Sequence, residues 1–250
     1  MTISNDLKVA VITPYKDEDI SCIERCIATL QAQEYPAYLH LIVCDGNRFP
    51  IDKSKLPDNV QVIELPSGCE DTGASPRAIG SIYAIAQHCD GLAYLDIDNT
   101  VTTDHISNAV QQAVQGACIV IADRWICDYN TGEPLFRDNI ENGFMKEDGV
   151  MFVDTNTLFL FGPAMIPGTQ WWQVQRQPGL RTAGVDRIVW RRITQFSQNN
   201  QLKTAKTGKP TVYYRSRWKH HYKLANRPAP SPCKTLEKVI NGLKVAKWIP

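Results

Sequence analysis

The chain predicts an α/β domain with a mostly parallel central sheet and helices on both faces. Three observations carry this. Short apolar runs and amphipathic stretches alternate from Lys8 to about residue 125, the pattern of repeated strand–helix units. Polar groups stand at the carboxyl ends of three of these runs, where parallel sheets bind their ligands. The length of 250 residues with 43% hydrophobic side chains suits one large domain, or one domain with a small appendage.

The elements follow in order. Lys8 to Pro14 reads as a buried first strand that Pro14 ends. A helix of about Ile20 to Gln33 puts Ile20, Ile23, Ile27 and Leu30 on one face. Tyr38 to Cys44 is a second strand, closed by the turn Asp45-Gly46-Asn47. Val60 to Leu65 is a third. The loop from Pro66 to Ser75 is rich in Gly and Ser, and Pro76 suits the first turn of a helix to about His88. Leu92 to Leu95 is a buried strand; if its geometry continues, Asp96 and Asp98 point the same way. Thr102 or Thr103 is a candidate cap for a helix with Ile106, Ala109, Val110 and Ala113 on its face. Ala117 to Ala122 is a further apolar strand. Beyond it the pattern is less regular: short strands at 151–153 and 157–161, a helix over 185–198, a polar loop at 200–210 and a strand at 211–214. Pro228, Pro230 and Pro232 mark a linker, followed by a short helix with Leu236, Val239, Ile240 and Leu243 on one face.

Composition excludes several classes. No apolar run reaches the roughly 20 residues needed to span a bilayer. The first eight residues lack the basic region and apolar core of a signal peptide. The eight cysteines include no Cys-x-x-Cys pair, against a zinc cluster and in favour of reduced thiols in the cytoplasm. The net charge of +1 hides an asymmetry: residues 203–250 carry 12 Lys/Arg and a single acid, Glu237. That basic segment suits phosphate groups or an anionic membrane face, hence a cytoplasmic protein with peripheral membrane contact. No nucleic-acid-binding motif is present. Asp96 and Asp98, two carboxylates beyond a strand end, suit Mn²⁺ or Mg²⁺, which take oxygen ligands and share them with phosphates.

Four segments, taken together, resemble glycosyltransferase family 2, of the GT-A fold. They are Val11-Ile12-Thr13-Pro14-Tyr15-Lys16, then His40-Leu41-Ile42-Val43-Cys44-Asp45-Gly46, then Gly73-Ala74-Ser75-Pro76-Arg77-Ala78-Ile79-Gly80, and Tyr94-Leu95-Asp96-Ile97-Asp98. The resemblance implies a nucleotide-sugar half at about 8–125, an acceptor half at about 126–227, and a basic linker and helix at 228–250. Pro14 and Tyr15 would line the base pocket and Asp45 would hydrogen-bond the base. Arg77 would sit near the base or diphosphate. Asp96 would meet the ribose or a metal-bound water, and Asp98 the metal. His220 or His221 would add a late metal ligand. Lys16 and Ala78 replace the family's usual Asn. Tyr214 stands three residues before Arg217-Trp218, so the motif of processive synthases is missed.

In the acceptor half the resemblance makes Asp186 the base that takes the proton from the attacking hydroxyl. A helix N-terminus would keep its pKa low unless burial opposes this. Trp171 and Trp172 offer flat faces to an acceptor, and Asp154 and Asn156 offer hydrogen bonds. The implied activity is metal-dependent, inverting transfer of a sugar from a nucleoside diphosphate, UDP favoured, to an acceptor hydroxyl. Two alternatives stand. Asp96-Ile97-Asp98-Asn99-Thr100-Val101 also resembles the nucleophile motif of haloacid dehalogenase-type phosphatases, though that motif usually follows a first strand. The other is a catalytically silent nucleotide-sugar-binding protein on the same fold.

Overall fold

The structure is a computed structural model; it describes residues 6–143, 146–147, 150–171, 185–231 and 233–234. The elements are β1 (Val9–Tyr15), α1 (Ile20–Gln31), β2 (Leu39–Cys44), β3 (Val60–Glu64), α2 (Ala74–Ala86), β4 (Gly91–Tyr94), β5 (Thr100–Val101) and α3 (His105–Val114). Then come β6 (Ile119–Asp128), β7 (Pro134–Arg137), β8 (Lys146–Glu147), β9 (Val150–Met151), β10 (Leu158–Phe161), α4 (Met165–Gly168), α5 (Val185–Asn199), β11 (Thr204–Ser216) and α6 (Lys219–Leu224).

The main sheet runs β3-β2-β1-β4-β10-β6-β11-β5, with β7 paired to β6. β1 is parallel to both β2 and β4, and β2 to β3. β10 lies antiparallel between β4 and β6. Alternation along the central strands divides the core in two. Val9 and Val11 face α1 and α3, with Ile23, Ile27, Ile106 and Val110. Ala10 and Ile12 face the other way, toward Ala78 and Ala84 of α2 and Val189, Trp190 and Ile193 of α5. Helices therefore cover both faces of the sheet, as the sequence predicts.

Several expectations are corrected. Ile20 begins α1 but is 48% exposed, so the apolar face starts at Ile23. The cap of α3 is neither threonine. Asp104 occupies that position without a side-chain cap bond, and Thr102 donates to its carboxylate at 2.5 Å. The strand expected at 117–122 continues to Asp128. Residues 200–210, expected as a loop, are largely strand, because β11 pairs in parallel with β6 from Thr204 onward. Its outward face is solvated, which explains its polar sequence, and register shifts around Pro210 absorb the proline. Among the described residues Val150–Met151 pairs with Lys146–Glu147, and Thr155–Thr157 is a 3₁₀ turn. Lys234 returns to Arg217, its N–H donating to that carbonyl at 2.6 Å, so the proline-marked stretch is pinned back on the domain. The helix expected after it and Trp172 lie outside the described residues. No described helix is long and apolar enough to cross a membrane.

Candidate active site

A cavity of about 530 Å³ opens beyond the carboxyl ends of β1, β2 and β4. Pro14, Tyr15, Asp45, Arg77, Asp96 and Asp98 all line it, with Lys16, Glu18, Glu70, Thr72, Gly73 and Ile97. Every residue expected at the nucleotide and the paired carboxylates is thus gathered from three neighbouring strands and the start of α2. The strand ladder stops at Tyr94, short of the acids. Burial still alternates beyond it: Leu95, Ile97 and Asn99 are buried, while Asp96 and Asp98 are half-buried toward the cavity.

Each wall has a local cause. The N–H of Asp45 donates to the Tyr15 carbonyl at 2.7 Å, joining the ends of β1 and β2. The Asp45 carboxylate accepts from the Cys69 N–H at 2.7 Å and so fastens the loop before α2. Gly46 must be glycine here: its φ is +86°, and a Cβ would lie 2.1 Å from the Gly68 nitrogen. In the same loop Glu70 and Thr72 hold positive φ of 51° and 57°. Non-glycine residues in this region are strained, and such strain clusters at ligand sites.

Asp96 is held from two sides. Arg77 forms an ion pair with one carboxylate oxygen. Asn156 accepts from the Asp96 N–H at 2.6 Å and donates to the other oxygen at 3.1 Å. Asp98 lies 3.4 Å from Arg217, which sequence reasoning left outside the site. Burial, then the neighbouring Asp96, push the Asp98 carboxyl up to about 6 despite Arg217. A pocket with two converging carboxylates and a shortage of positive charge fits a hard divalent cation, so the donor set of Asp96 and Asp98 is chemically suited to Mn²⁺ or Mg²⁺.

The residues expected to meet the acceptor or to add a late metal ligand are arranged differently from expectation. Trp171 is 1% exposed and packs edge-on against Tyr94, with the Arg77 guanidinium 5.4 Å above its ring. It supports Arg77 from within the core and presents no face to an acceptor. Asp154 and Asn156 are also buried. Asp154 pairs with Arg124 and accepts from Asn156 at 2.8 Å, so both are spent on internal bonds. His220 and His221 gather around Glu141, at 2.8 and 3.2 Å, and not around Asp98. Asp186 lies in the first turn of α5. Burial, then the charge of Asp154, raise its pKa, with Arg187 and Arg77 opposing. Burial therefore overcomes the helix N-terminus.

Three acids gather on Arg124 of β6, 2% exposed, which donates to Asp138 at 2.8 Å, to Glu141 at 2.7 Å and to Asp154. Through Asp154 and Asn156 its contacts reach Asp96. A charged pair, Asp123-Arg124, inside the apolar run 117–127 was the signal that could have found it. Glu141 had none.

No protein-family model and no curated protein matches the sequence. Solved structures do match. S. aureus TarS residues 1–349 superpose with a TM-score of 0.59 at 13% identity, and the same segment in complex with UDP gives 0.59 at 14%. A further structure of S. aureus TarS gives 0.59 at 13%. Each covers 88% of this chain, and the chain spans 63%, 63% and 38% of their lengths. The architecture they share is the GT-A glycosyltransferase fold.

Proposed function

We propose that the chain is a metal-dependent, inverting glycosyltransferase that moves a sugar from a nucleoside diphosphate, UDP favoured, to an acceptor hydroxyl. The observation that carries the reading is the convergence of Tyr15, Asp45, Arg77, Asp96 and Asp98 on one cavity at the sheet's carboxyl edge. Its volume of about 530 Å³ is of the right order for a nucleotide sugar. The fold match to TarS in complex with UDP supports uridine as the base.

In this reading Pro14 and Tyr15 flank the base and Asp45 accepts a hydrogen bond from it. Asp96 and Asp98 would hold Mn²⁺ or Mg²⁺, whose charge stabilises the departing diphosphate. Arg77 and Arg217 already stand beside those acids and place two cationic groups where the leaving group gathers charge. Asp186 takes the acceptor proton, and its raised pKa makes its carboxylate a stronger base. Peripheral membrane contact through the basic carboxyl-terminal segment belongs to the same proposal. It fails if removing residues 228–250 leaves activity and liposome binding unchanged.

The test is turnover of UDP-sugars, scored as transfer and as donor hydrolysis. Asp186→Asn is expected to lower turnover by at least 100-fold while nucleotide affinity stays within about twofold. Nucleotide binding with no turnover of any donor would favour the silent binding protein. Equal loss of turnover and affinity would make Asp186 structural.

A further inference from the structure

We propose that Glu141, His220 and His221 form a binding site for a transition-metal ion of the zinc type, separate from the Asp96/Asp98 pair. Nε2 of His220 lies 2.8 Å from Glu141 Oε1, and Nε2 of His221 lies 3.2 Å from Oε2. The three ligand atoms fall within 4.8 Å of one another. Ligands about 2.0–2.1 Å from a tetrahedral zinc ion stand roughly 3.3 Å apart, so small side-chain shifts admit the ion. Adjacent helical residues do not ordinarily face each other. Here the two rings are 4.1 Å apart between centroids, because both turn from the start of α6 toward one carboxylate.

The surroundings orient these ligands. Ser216 Oγ is 2.6 Å from Nδ1 of His221, which leaves Nε2 as the atom facing the carboxylate. That Nε2 belongs to a side chain only 2% exposed and faces Glu141 Oε2. Arg124 donates to Glu141 Oε2 at 2.7 Å. Such outer bonds fix tautomer and rotamer at metal sites. Charge favours a cation as well: among the described residues, Arg124 is the guanidinium paired with all three of Asp138, Glu141 and Asp154. The His220 side chain is 23% exposed, giving an ion access from solvent. Imidazole selects zinc, cobalt, nickel or copper, whereas the all-oxygen pair Asp96/Asp98 suits magnesium or manganese. An ion here would tie the segment after β7 to α6, and thereby brace Arg217 beside Asp98. The site does not depend on the donor reading.

The test titrates metal-free protein with Co²⁺, followed by visible absorption, with Zn²⁺ as competitor. A Co²⁺ ion with the intense visible bands of nitrogen-ligated, tetrahedral cobalt, displaced by Zn²⁺, is expected in the native protein and in Asp98→Asn. Affinity should drop at least tenfold in Glu141→Gln and in His220→Asn. Both variants keep the Arg124 pairs with Asp138 and Asp154, and circular dichroism checks their fold. Three results would overturn the proposal: no Co²⁺ uptake, uptake unchanged in both variants (thiol sites instead), or loss in Asp98→Asn. None of these would alter UDP affinity in the native protein, so failure here is distinguishable from failure of the donor site.

Discussion

The two halves of the molecule build polar sites by opposite means. Residues 8–125 bring their functional groups to the ends of buried parallel strands, where the backbone delivers them and the cavity stays open. Residues 126–227 turn their polar groups inward, around Arg124. In the first half Asp96 is paired with Arg77 while Asp98 has a longer, 3.4 Å contact with Arg217, and burial pushes Asp98 up to about 6. In the second half burial alone would raise Asp138, yet Arg124 and the N–H groups of Glu141 and Ile140 hold it below the usual carboxylate range. The cavity of the first half is open to a ligand, whereas the buried acids of the second half take their counter-charge from Arg124 of β6.

The largest effect that separates them is expected at Arg124. Arg124→Met leaves Asp138, Glu141 and Asp154 facing one another in the interior. Breaking a buried ion pair in this way costs about 3–5 kcal/mol, readable as a lower urea midpoint. A loss below about 1 kcal/mol would mean that the network is solvated and the contrast is false. Next comes Gly46→Ala, which forces a Cβ onto the Gly68 backbone at positive φ. A stability loss of about 1–3 kcal/mol is expected, together with weakened nucleotide binding, since the displaced loop lines the cavity.

Asn156 joins the halves. Asn156→Ala removes the bonds that orient Asp96 and leaves Asp154 with less support. About 1–2 kcal/mol of stability should be lost, and nucleotide affinity should fall several-fold in a titration. Unchanged affinity would show that Asp96 needs no positioning from Asn156.

Acidification should separate the halves too. Asp98 has a raised folded pKa, so its contribution to stability is present below the ordinary value near 4 and is lost as pH rises through about 6. Asp138 is lowered, so its contribution is present above that ordinary value and is lost as pH falls through its folded value. Between pH 7 and 5, metal-dependent nucleotide binding should therefore weaken while Asp138 stays ionised beside Arg124. Thermal scans with and without Mn²⁺ and nucleotide across this range check it. Loss of global stability in the same window would reverse the assignment. The smallest effect is expected at Ile20: Ile20→Gln should shift stability by no more than about 0.5 kcal/mol, because that side chain is half exposed despite its place in the periodic pattern.

The same contrast explains what was legible in the sequence. Strands β1, β2 and β4 are short apolar runs with polar residues at one end, so both the fold and the cavity walls followed from local pattern. The second half depends on contacts across the chain. Arg124 meets Asp154 from 30 residues away, and His220 meets Glu141 across 79. No periodicity encodes such pairs. β10 enters the sheet antiparallel between β4 and β6, and β11 is a solvated strand whose polar residues read as a loop. Asp154, Asn156 and Trp171 looked like acceptor contacts because polar turns and tryptophans serve that role on surfaces. Their burial behind Asp96 and Arg77 makes them supports for the first half instead.

The most direct test of the central claim is thermal stability with UDP, GDP, CDP and inorganic phosphate, each with and without Mn²⁺. A nucleotide at 100 times its dissociation constant adds about 2.7 kcal/mol. The account expects stabilisation by UDP, dependent on Mn²⁺ and lost in Asp98→Ala. An unchanged transition under every condition would contradict the donor site.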